Sequence, residues 1–273
     1  MKKYLILIII MLGFGIWSLG FENAEAFSLS IDPPHVNIDV APGQASTGYI
    51  RVENLDSDPI KVEAFTEDWT YISDGSKNFV PAGSTKLSCS KWIKLDPVNF
   101  DIEPKTSKMV KYTIAVPKES IGGHYSVIFF KSSLGAGQYK GQTVGLAGRI
   151  GTIVYQSSGK IIKYGLIENV SIKKDEKTKE TFINVTFRNR GNVYLSAKGK
   201  VSILDKSGNV LDTISVENLN TIPGDVMTKK IKYEKALPQG IYTLDAEINY
   251  GGSAPAKLDK IVLYKSMILA EKE

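Results

Sequence analysis

The sequence predicts an all-β protein made of two β-sandwiches in tandem. Its apolar residues recur at every second position in short runs, which is the period of a strand buried on one face. The clearest run places Val110, Tyr112, Ile114 and Val116 on one face. Prolines and glycines separate the runs, and the helical spacing of apolar residues is almost absent. Short strands divided by such turn residues are typical of sandwich folds.

Residues 1–26 predict a cleaved signal peptide that precedes the fold. The basic pair Lys2-Lys3 is followed by an apolar core from Leu5 to Trp17, and Ala24-Glu25-Ala26 has the small-x-small form of a cleavage site. The apolar core is too short to span a membrane comfortably, and no later segment reaches that length. We therefore expect an exported protein, periplasmic or secreted, that begins at Phe27 and keeps no membrane span after cleavage.

Residues 27–163 predict the first sandwich. The expected strands, in order, are Ser28–Val40, Ser46–Asn54, Ile60–Tyr71, Leu87–Leu95, Lys108–Val116, Gly123–Lys131 and Gly145–Gln156. Turn residues stand between them, first at Ala41-Pro42-Gly43 and next at Asp56-Ser57-Asp58-Pro59. Tyr125 to Phe130 is apolar on both faces, as in a strand in the middle of a sandwich. This number of short strands is that of a minimal immunoglobulin-like domain.

Residues 164–273 predict a second immunoglobulin-like sandwich with a short C-terminal tail, because the pattern starts again after Gly159. Phe182 to Phe187 alternates as a strand, and Asp205 to Asn209 marks a hairpin turn. Two features of the first half return in the second half. The turn Ile222-Pro223-Gly224-Asp225 repeats Ala41-Pro42-Gly43-Gln44, and Pro238 to Ile248 repeats the order of proline, glycine, tyrosine and apolar strand seen from Pro117 to Phe129. Two sandwiches of related design follow from this order.

The charge of the chain gives no indication of a nucleic-acid partner. There are 34 basic and 29 acidic residues, a formal net charge of +5, and most lysines are spread along the predicted strands and turns. A mild, dispersed excess of this kind does not predict nucleic-acid binding. It does allow a weak attraction to an anionic cell surface or wall polymer.

Residues with catalytic or metal-binding chemistry are too few for an enzyme. His35 and His124 are the two imidazoles and Cys89 is the single thiol, so a structural zinc site cannot be assembled, and both histidines stand in strand-like surroundings that do not favour a Ser-His-Asp triad. Glu67 and Asp68 are adjacent, and on a strand they point to opposite faces. The glycine-rich segment lacks a phosphate-binding ending. We expect a non-enzymatic protein that uses no cofactor and no metal.

Three residues near the middle of the first domain are expected in its core. Cys89 has no second cysteine to pair with, and it stands beside Trp92 and Ile93, so we interpret it as a buried apolar side chain. Trp92 and Tyr112 are expected inside the same sandwich. An exported domain without disulfides depends on such a core for its stability.

The first half of the chain resembles the N-terminal domain of PapD-like periplasmic chaperones, which assemble pili in bacteria. The shared stretches, between Ser30 and Lys131, are Ser30-Ile31-Asp32-Pro33, the Pro-Gly turn before Ser46, Glu67-Asp68-Trp69, Trp92-Ile93-Lys94-Leu95-Asp96-Pro97, Phe100-Asp101-Ile102-Glu103-Pro104 and Val110-Lys111-Tyr112-Thr113. They lie mainly at core and turn positions, so the resemblance bears on fold more than on activity.

The resemblance implies that the last strand of the first domain is lent to a protein partner, a surface or pilus subunit. Val144, Leu146, Ile150 and Val154 share one parity here, which is the spacing that strand lending requires, although the inner face of an ordinary edge strand has the same period. The resemblance also implies that the subunit's terminal carboxylate is held by an arginine on the first strand and a lysine on the last, and Arg149 stands near the place of that lysine. The chain departs from the family at the first strand, because no arginine or lysine occurs between Phe27 and Ile50.

Two functions follow from the sequence. The first is an exported protein-binding protein with a chaperone-like role in assembling pili or other surface structures, which pairs with its partner along a strand edge. The second is a structural or adhesive β-sandwich module of the cell envelope. The shared parity of the apolar residues in the segment from Val144 to Ile150 favours the chaperone-like role. The absence of an arginine or lysine on the first strand favours the envelope module.

Overall fold

The computed structural model describes residues 29–72, 75–139 and 142–264, with side chains for all of these except 134–139 and 142–146. The predicted signal peptide and the C-terminal tail beyond Tyr264 lie outside the described residues. Apart from a single turn of 3₁₀ helix at Ser90–Trp92, every regular element in the described ranges is a strand. These ranges hold no helix long and apolar enough to cross a membrane.

The first half of the described chain, up to Ser158, forms two facing sheets. Its strands are β1 (Leu29–Asp32), β2 (His35–Asp39), β3 (Ala45–Asn54), β4 (Ile60–Tyr71), β5 (Lys77–Pro81), β6 (Ile93–Asp96), β7 (Asn99–Ile102), β8 (Ser107–Ala115), β9 (Gly122–Tyr139) and β10 (Gln142–Ser158). One sheet has the order β1-β3-β8-β6, and the other has the order β2-β10-β9-β4-β5 with β7 paired to β4. The predicted alternation is confirmed, since Val110, Ile114 and Cys89 are fully buried between the sheets.

The predicted first strand, Ser28–Val40, is divided into two strands that serve different sheets. Leu29–Asp32 pairs antiparallel with β3, and His35–Asp39 pairs parallel with the last part of β10. The division falls at Pro33 and Pro34, which have no backbone N–H to donate to a ladder. The prediction of one continuous strand was therefore wrong at this point, because alternation alone does not show which sheet each half joins.

One further prediction for the first half is corrected. Only Ile93–Asp96 of the predicted strand Leu87–Leu95 is a strand; the residues before it make the 3₁₀ turn and a single bridge from Ser88 to Tyr125. The glycine-rich stretch between the predicted strands Gly123–Lys131 and Gly145–Gln156 also belongs to the β9–β10 ladder, with register pairs from Gln142↔Tyr139 onward. A glycine lowers the β-propensity of a strand, but here the long ladder outweighs that local effect.

The second half forms another pair of facing sheets. Its strands are β11 (Gly165–Lys174), β12 (Thr181–Asn189), β13 (Leu195–Leu204), β14 (Val210–Thr221), β15 (Val226–Tyr233), β16 (Gly240–Asn249) and β17 (Ala256–Tyr264). Their orders are β11-β12-β15 and β14-β13-β16-β17. Two tandem immunoglobulin-like sandwiches, as predicted, are the architecture of this chain. The exact domain boundary between residues 163 and 164 stays a prediction.

A pair of asparagines occupies the same place in both sandwiches. Asn54 ends β3, and its amide nitrogen donates to the carbonyls of Asp58 (2.7 Å) and Ile102 (3.1 Å). Asn189 ends β12, and its amide nitrogen donates to the carbonyls of Val193 (2.8 Å) and Thr221 (3.2 Å). Each side-chain oxygen also accepts the backbone N–H two residues ahead. The repeat therefore extends to a fully buried amide that fastens a loop to a neighbouring strand end.

Replacing Asn189 by alanine should lower the free energy of unfolding by about 2–3 kcal/mol, because buried backbone carbonyls and one N–H lose their partners. Asn54→Ala should cost a similar amount in the first sandwich. Urea unfolding followed by circular dichroism measures both. A loss below about 0.5 kcal/mol in either variant would show that the amide does not fasten the loop.

Candidate protein-binding edge

Strand β10 has one fully paired side and one side that is paired only in part. Strand β9 pairs with it from Gln142 to Ser158. On the other side, β2 pairs with it only from Ile153 to Ser157. Within the described residues, no strand pairs with that side of β10 from Gln142 to Thr152. This stretch is therefore a free strand edge, and it contains every residue that the sequence proposed for partner binding.

The proline pair that separates β1 from β2 determines where along β10 the free edge ends. Thr152 donates its hydroxyl to the carbonyl of Pro33 (2.8 Å), and the Ile153 amide donates to the carbonyl of Pro34 (3.0 Å). Upstream of these bonds β1 turns away to the other sheet. Because backbone groups alternate in direction along a strand, the N–H groups of Gly151 and Arg149 point to the same side as that of Ile153. They consequently face the free edge.

Ile150 and Arg149 lie on opposite faces of β10, as the alternation predicts. Ile150 is half-buried and packs against the core of the first sandwich. Arg149 is exposed on the outer face. Of the other two candidates, Val144 pairs with Gly137 of β9, and Leu146 stands where the register shifts between Gly145 and Ala147. The side chains of Val144 and Leu146 lie outside the described residues, so their role in partner binding stays a prediction.

The guanidinium of Arg149 already has partners within the chain. Its Nη1 atom is 2.8 Å from Oε1 of Glu67 on β4, and its central carbon lies 4.2 Å from the centre of the Phe129 ring. Arg149 is 40% exposed and Glu67 is 22% exposed, so solvent screens the pair and its contribution to stability is small. A carboxylate from another chain could replace Glu67 at little cost. His35, the histidine in the predicted first strand, is exposed on β2 and pairs in register with Ile153.

Part of the outer face of the sheet that holds β10 packs against the second sandwich. Trp69, Tyr125, Val127 and Phe129 of the first sandwich form one apolar cluster with Ile222 of the second. The rings of Tyr155 and Tyr194, one from each sandwich, have centroids 4.8 Å apart. Sequence reasoning missed this contact between the sandwiches. The available signal was the double-sided apolar run from Tyr125 to Phe130, which had been attributed to a place in the middle of a sandwich.

A backbone contact fixes the two sandwiches at the same place. The Gly123 amide donates to the Asn192 carbonyl (2.7 Å). Gly122 has φ +86°, and a Cβ atom there would lie 2.4 Å from that carbonyl oxygen, so the approach requires glycine. The free edge of β10 is thus carried by a sheet whose outer face is held against a second domain.

The residues with chemical reactivity are structural in this arrangement. Cys89 is fully buried, and burial raises the pKa of its thiol to about 12. His124 is half-buried with its ring centre 4.5 Å from that of Trp92, and burial lowers its pKa. Asp68 is fully buried and bound by the hydroxyls of Ser88 and Ser90. Across the described residues, no three His, Cys, Asp or Glu side chains are placed to hold a metal ion.

No protein-family model and no curated protein matches the chain. Among solved structures, the class 5 fimbriae chaperone CfaA is similar, with 14% identity, 87% of this chain and 100% of that chain covered, and a TM-score of 0.46. The chaperone YadV has 10% identity, coverage of 85% and 100%, and a TM-score of 0.46. The E. coli chaperone DraB has 13% identity, coverage of 86% and 98%, and a TM-score of 0.39. Each of these chaperones is similar to this chain over most of both chains, at low sequence identity.

Proposed function

We propose that this exported, non-enzymatic protein binds an extended segment of another protein along the free edge of β10. Such an edge offers unpaired N–H and C=O groups to an incoming strand, and the added strand gains affinity from main-chain hydrogen bonds. The partner would be a subunit of a pilus or another surface structure, for which this protein acts as a chaperone. The observation that carries the proposal is the unpaired side of β10 from Gln142 to Thr152.

The arrangement of side chains around this edge supports the proposal. Ile150 is anchored in the core, so the strand is held in place while its edge stays open. Arg149 stands beside the edge, and its ion pair with Glu67 can be exchanged for one with a partner's carboxylate at little cost. The alternating apolar positions Val144 and Leu146 precede it in the part of the ladder where β10 pairs with β9 only. A partner strand would find backbone groups, apolar side chains and one cation within a short distance.

Two substitutions at Arg149 distinguish backbone pairing from carboxylate binding. Arg149→Ala keeps the N–H group at the free edge and removes the cation, whereas Arg149→Pro removes both. If a partner strand pairs here, Arg149→Pro should lose the partner at least about tenfold more than Arg149→Ala does, because proline cannot donate to the added ladder. The measurement is the yield of the co-purified envelope partner, identified with the wild-type protein. Equal retention by both variants would rule out edge pairing at this position.

A charge at Leu146 tests the use of the strand's side chains. Leu146→Glu should abolish co-purification and leave the thermal midpoint nearly unchanged if the side chain is offered to a partner. If Leu146→Glu instead unfolds the domain, this part of β10 is an ordinary core strand. The protein would then be better described as a structural or adhesive envelope module.

The envelope-module alternative has one observation of its own. The apolar cluster around Trp69 and Ile222, together with the Gly123–Asn192 backbone bond, joins the two sandwiches side by side. A joint of this kind suits a rigid spacer as well as a chaperone. Partner capture that depends on the β10 edge separates the two functions.

A further inference from the structure

We propose that the second sandwich binds an acidic polysaccharide in a groove on the outer face of its three-stranded sheet. This sheet consists of β11, β12 and β15, and its inner face is filled by Ile183, Val185 and Phe187 of β12. The outer face carries a groove of about 390 Å³ between the strands and the hairpin that joins β11 to β12. This site is separate from the β10 edge and does not depend on the function proposed for it.

The floor of the groove consists mainly of uncharged hydrogen-bonding side chains, with Lys230 beside them. The strand register places Ser171, Asn184 and Lys230 in one row across the sheet, and Asn169, Thr186 and Thr228 in the next. Among the described residues, the side chains of Ser171 and Asn184 make no hydrogen bond, whereas Thr186 and Thr228 bond to each other (2.9 Å). Outward-facing amides and hydroxyls with unused donors and acceptors match the hydroxyl groups of sugars.

Lysines line the end of the groove that lies beside the hairpin joining β11 to β12. Lys173 and Lys174 take part in no ion pair within the described part of the chain. Lys230 lies 3.8 Å from the centre of the Phe182 ring and 3.5 Å from the carboxylate of Asp175. The Asp175 carboxylate also accepts the N–H groups of Lys177 and Thr178, and these bonds lower its pKa. The groove therefore offers more positive than negative charge, and its one carboxylate is already occupied.

This combination fits an acidic polysaccharide better than other anionic polymers. A nucleic acid would need a dense basic surface and open aromatic rings for base stacking, but the Phe182 ring is already covered by Lys230. A membrane surface would require several exposed apolar side chains, whereas among the described residues Phe182 is the one apolar residue lining this groove, and Lys230 lies over its ring. Hydroxyls and amides for sugar rings, with lysines for carboxylates, are what the groove supplies.

Titration of the full-length mature protein with polygalacturonate at low ionic strength tests this site. We expect binding that weakens as salt is added, because exposed charges are screened. Lys173→Gln and Asn184→Ala should each lower the affinity by about tenfold, which is the loss expected for one charge-assisted or well-placed hydrogen bond. Neither side chain has a partner in the described chain, so both variants should fold normally, as circular dichroism can verify.

Lys200→Gln is the matched control, since Lys200 is an exposed lysine on β13 in the opposite sheet. Its affinity should stay within twofold of the wild-type value. Absence of any binding to polygalacturonate, or an equal loss in Lys200→Gln, would overturn the proposal. Equally tight binding of duplex DNA or of anionic lipid vesicles that Lys173→Gln weakens would also overturn it, because the groove would then not select a polysaccharide. Loss of the β10 partner in Arg149→Pro with unchanged polygalacturonate binding would show that the two sites are independent.

Discussion

Replacing Trp69 by alanine should lower the free energy of unfolding by about 3–5 kcal/mol, the usual cost of emptying a buried aromatic site. Trp69 is 1% exposed and its indole N–H donates to the Ser126 carbonyl (3.1 Å). Its ring packs against Tyr71, Tyr125 and Tyr155, with centroids 5.3 to 5.6 Å away. Truncation would therefore remove apolar burial, aromatic contacts and a hydrogen bond together.

The position of Trp69 adds a second expected effect, on the coupling between the sandwiches. The same cluster contains Ile222 of the second sandwich, so an emptied site weakens the contact between them. We expect urea unfolding of Trp69→Ala, followed by circular dichroism, to become broader or to separate into two transitions. Trp92→Ala is the control, since Trp92 is half-buried and packs within the first sandwich. Trp92→Ala should lower the free energy of unfolding by less and leave the coupling between the sandwiches intact. A loss of unfolding free energy below about 1 kcal/mol for Trp69→Ala would contradict the assignment of Trp69 as the centre of the contact.

Replacing Asp68 should produce the second large loss. Oδ1 of Asp68 accepts the hydroxyls of Ser88 (2.6 Å) and Ser90, and Oδ2 accepts the Thr85 amide (2.9 Å) and hydroxyl (3.1 Å). This fully buried carboxylate thereby holds the segment that leads into the 3₁₀ turn. Asp68→Ala should cost about 3–5 kcal/mol, because several charge-assisted bonds disappear and the Thr85 N–H is left unpaired. Asp68→Asn, which keeps one oxygen, should cost less.

The pH dependence of this loss follows from the pKa of Asp68. Burial alone would raise that pKa, but the bonds from Ser88, Ser90 and Thr85 outweigh burial and hold it below 3.8. The unfolded pKa is about 3.9, so the stabilisation is fully present above that value and is lost as the pH falls toward the folded pKa. The difference in unfolding free energy between wild type and Asp68→Asn should therefore shrink below about pH 4. Glu67→Gln, at the partly exposed neighbouring residue, should change the free energy of unfolding by less than about 1 kcal/mol. A difference between wild type and Asp68→Asn that stays constant from neutral pH to pH 3 would contradict the role of the carboxylate.

Most strands and core positions could be predicted from the sequence, because alternation reports burial directly. The run from Val110 to Val116, the buried Cys89 and the two-sided strand from Tyr125 to Phe130 all agree with the structure. The repeated Pro-Gly turns agree as well, since Gly43 and Gly224 both have positive φ values, +80° and +88°. Trp92 was expected inside and is only half-buried, because it lies in a 3₁₀ turn that does not follow the strand period.

The candidate site could be predicted only in part. The sequence placed Arg149 and Ile150 on opposite faces of one strand, and the structure agrees. It could not show that Arg149 pairs with Glu67, which is 82 positions away, because that pairing depends on β9 lying between β4 and β10. Nor could it show where β10 loses its second neighbour. That point is set by the prolines that send the two halves of the first strand into different sheets.

The sequence by itself determined an all-β chain, its strand period, its turns and the parity of its core, because these depend on residues close together along the chain. Tertiary structure decided which strands became neighbours, which edge stayed open and which outer face was covered by the second sandwich. Trp69 illustrates the difference: its position on a strand was evident, but the cluster in which it is buried also includes Ile222, a residue of the other domain. The period of a strand shows that a face is buried, whereas the partner that buries it is chosen by long-range packing of whole sheets.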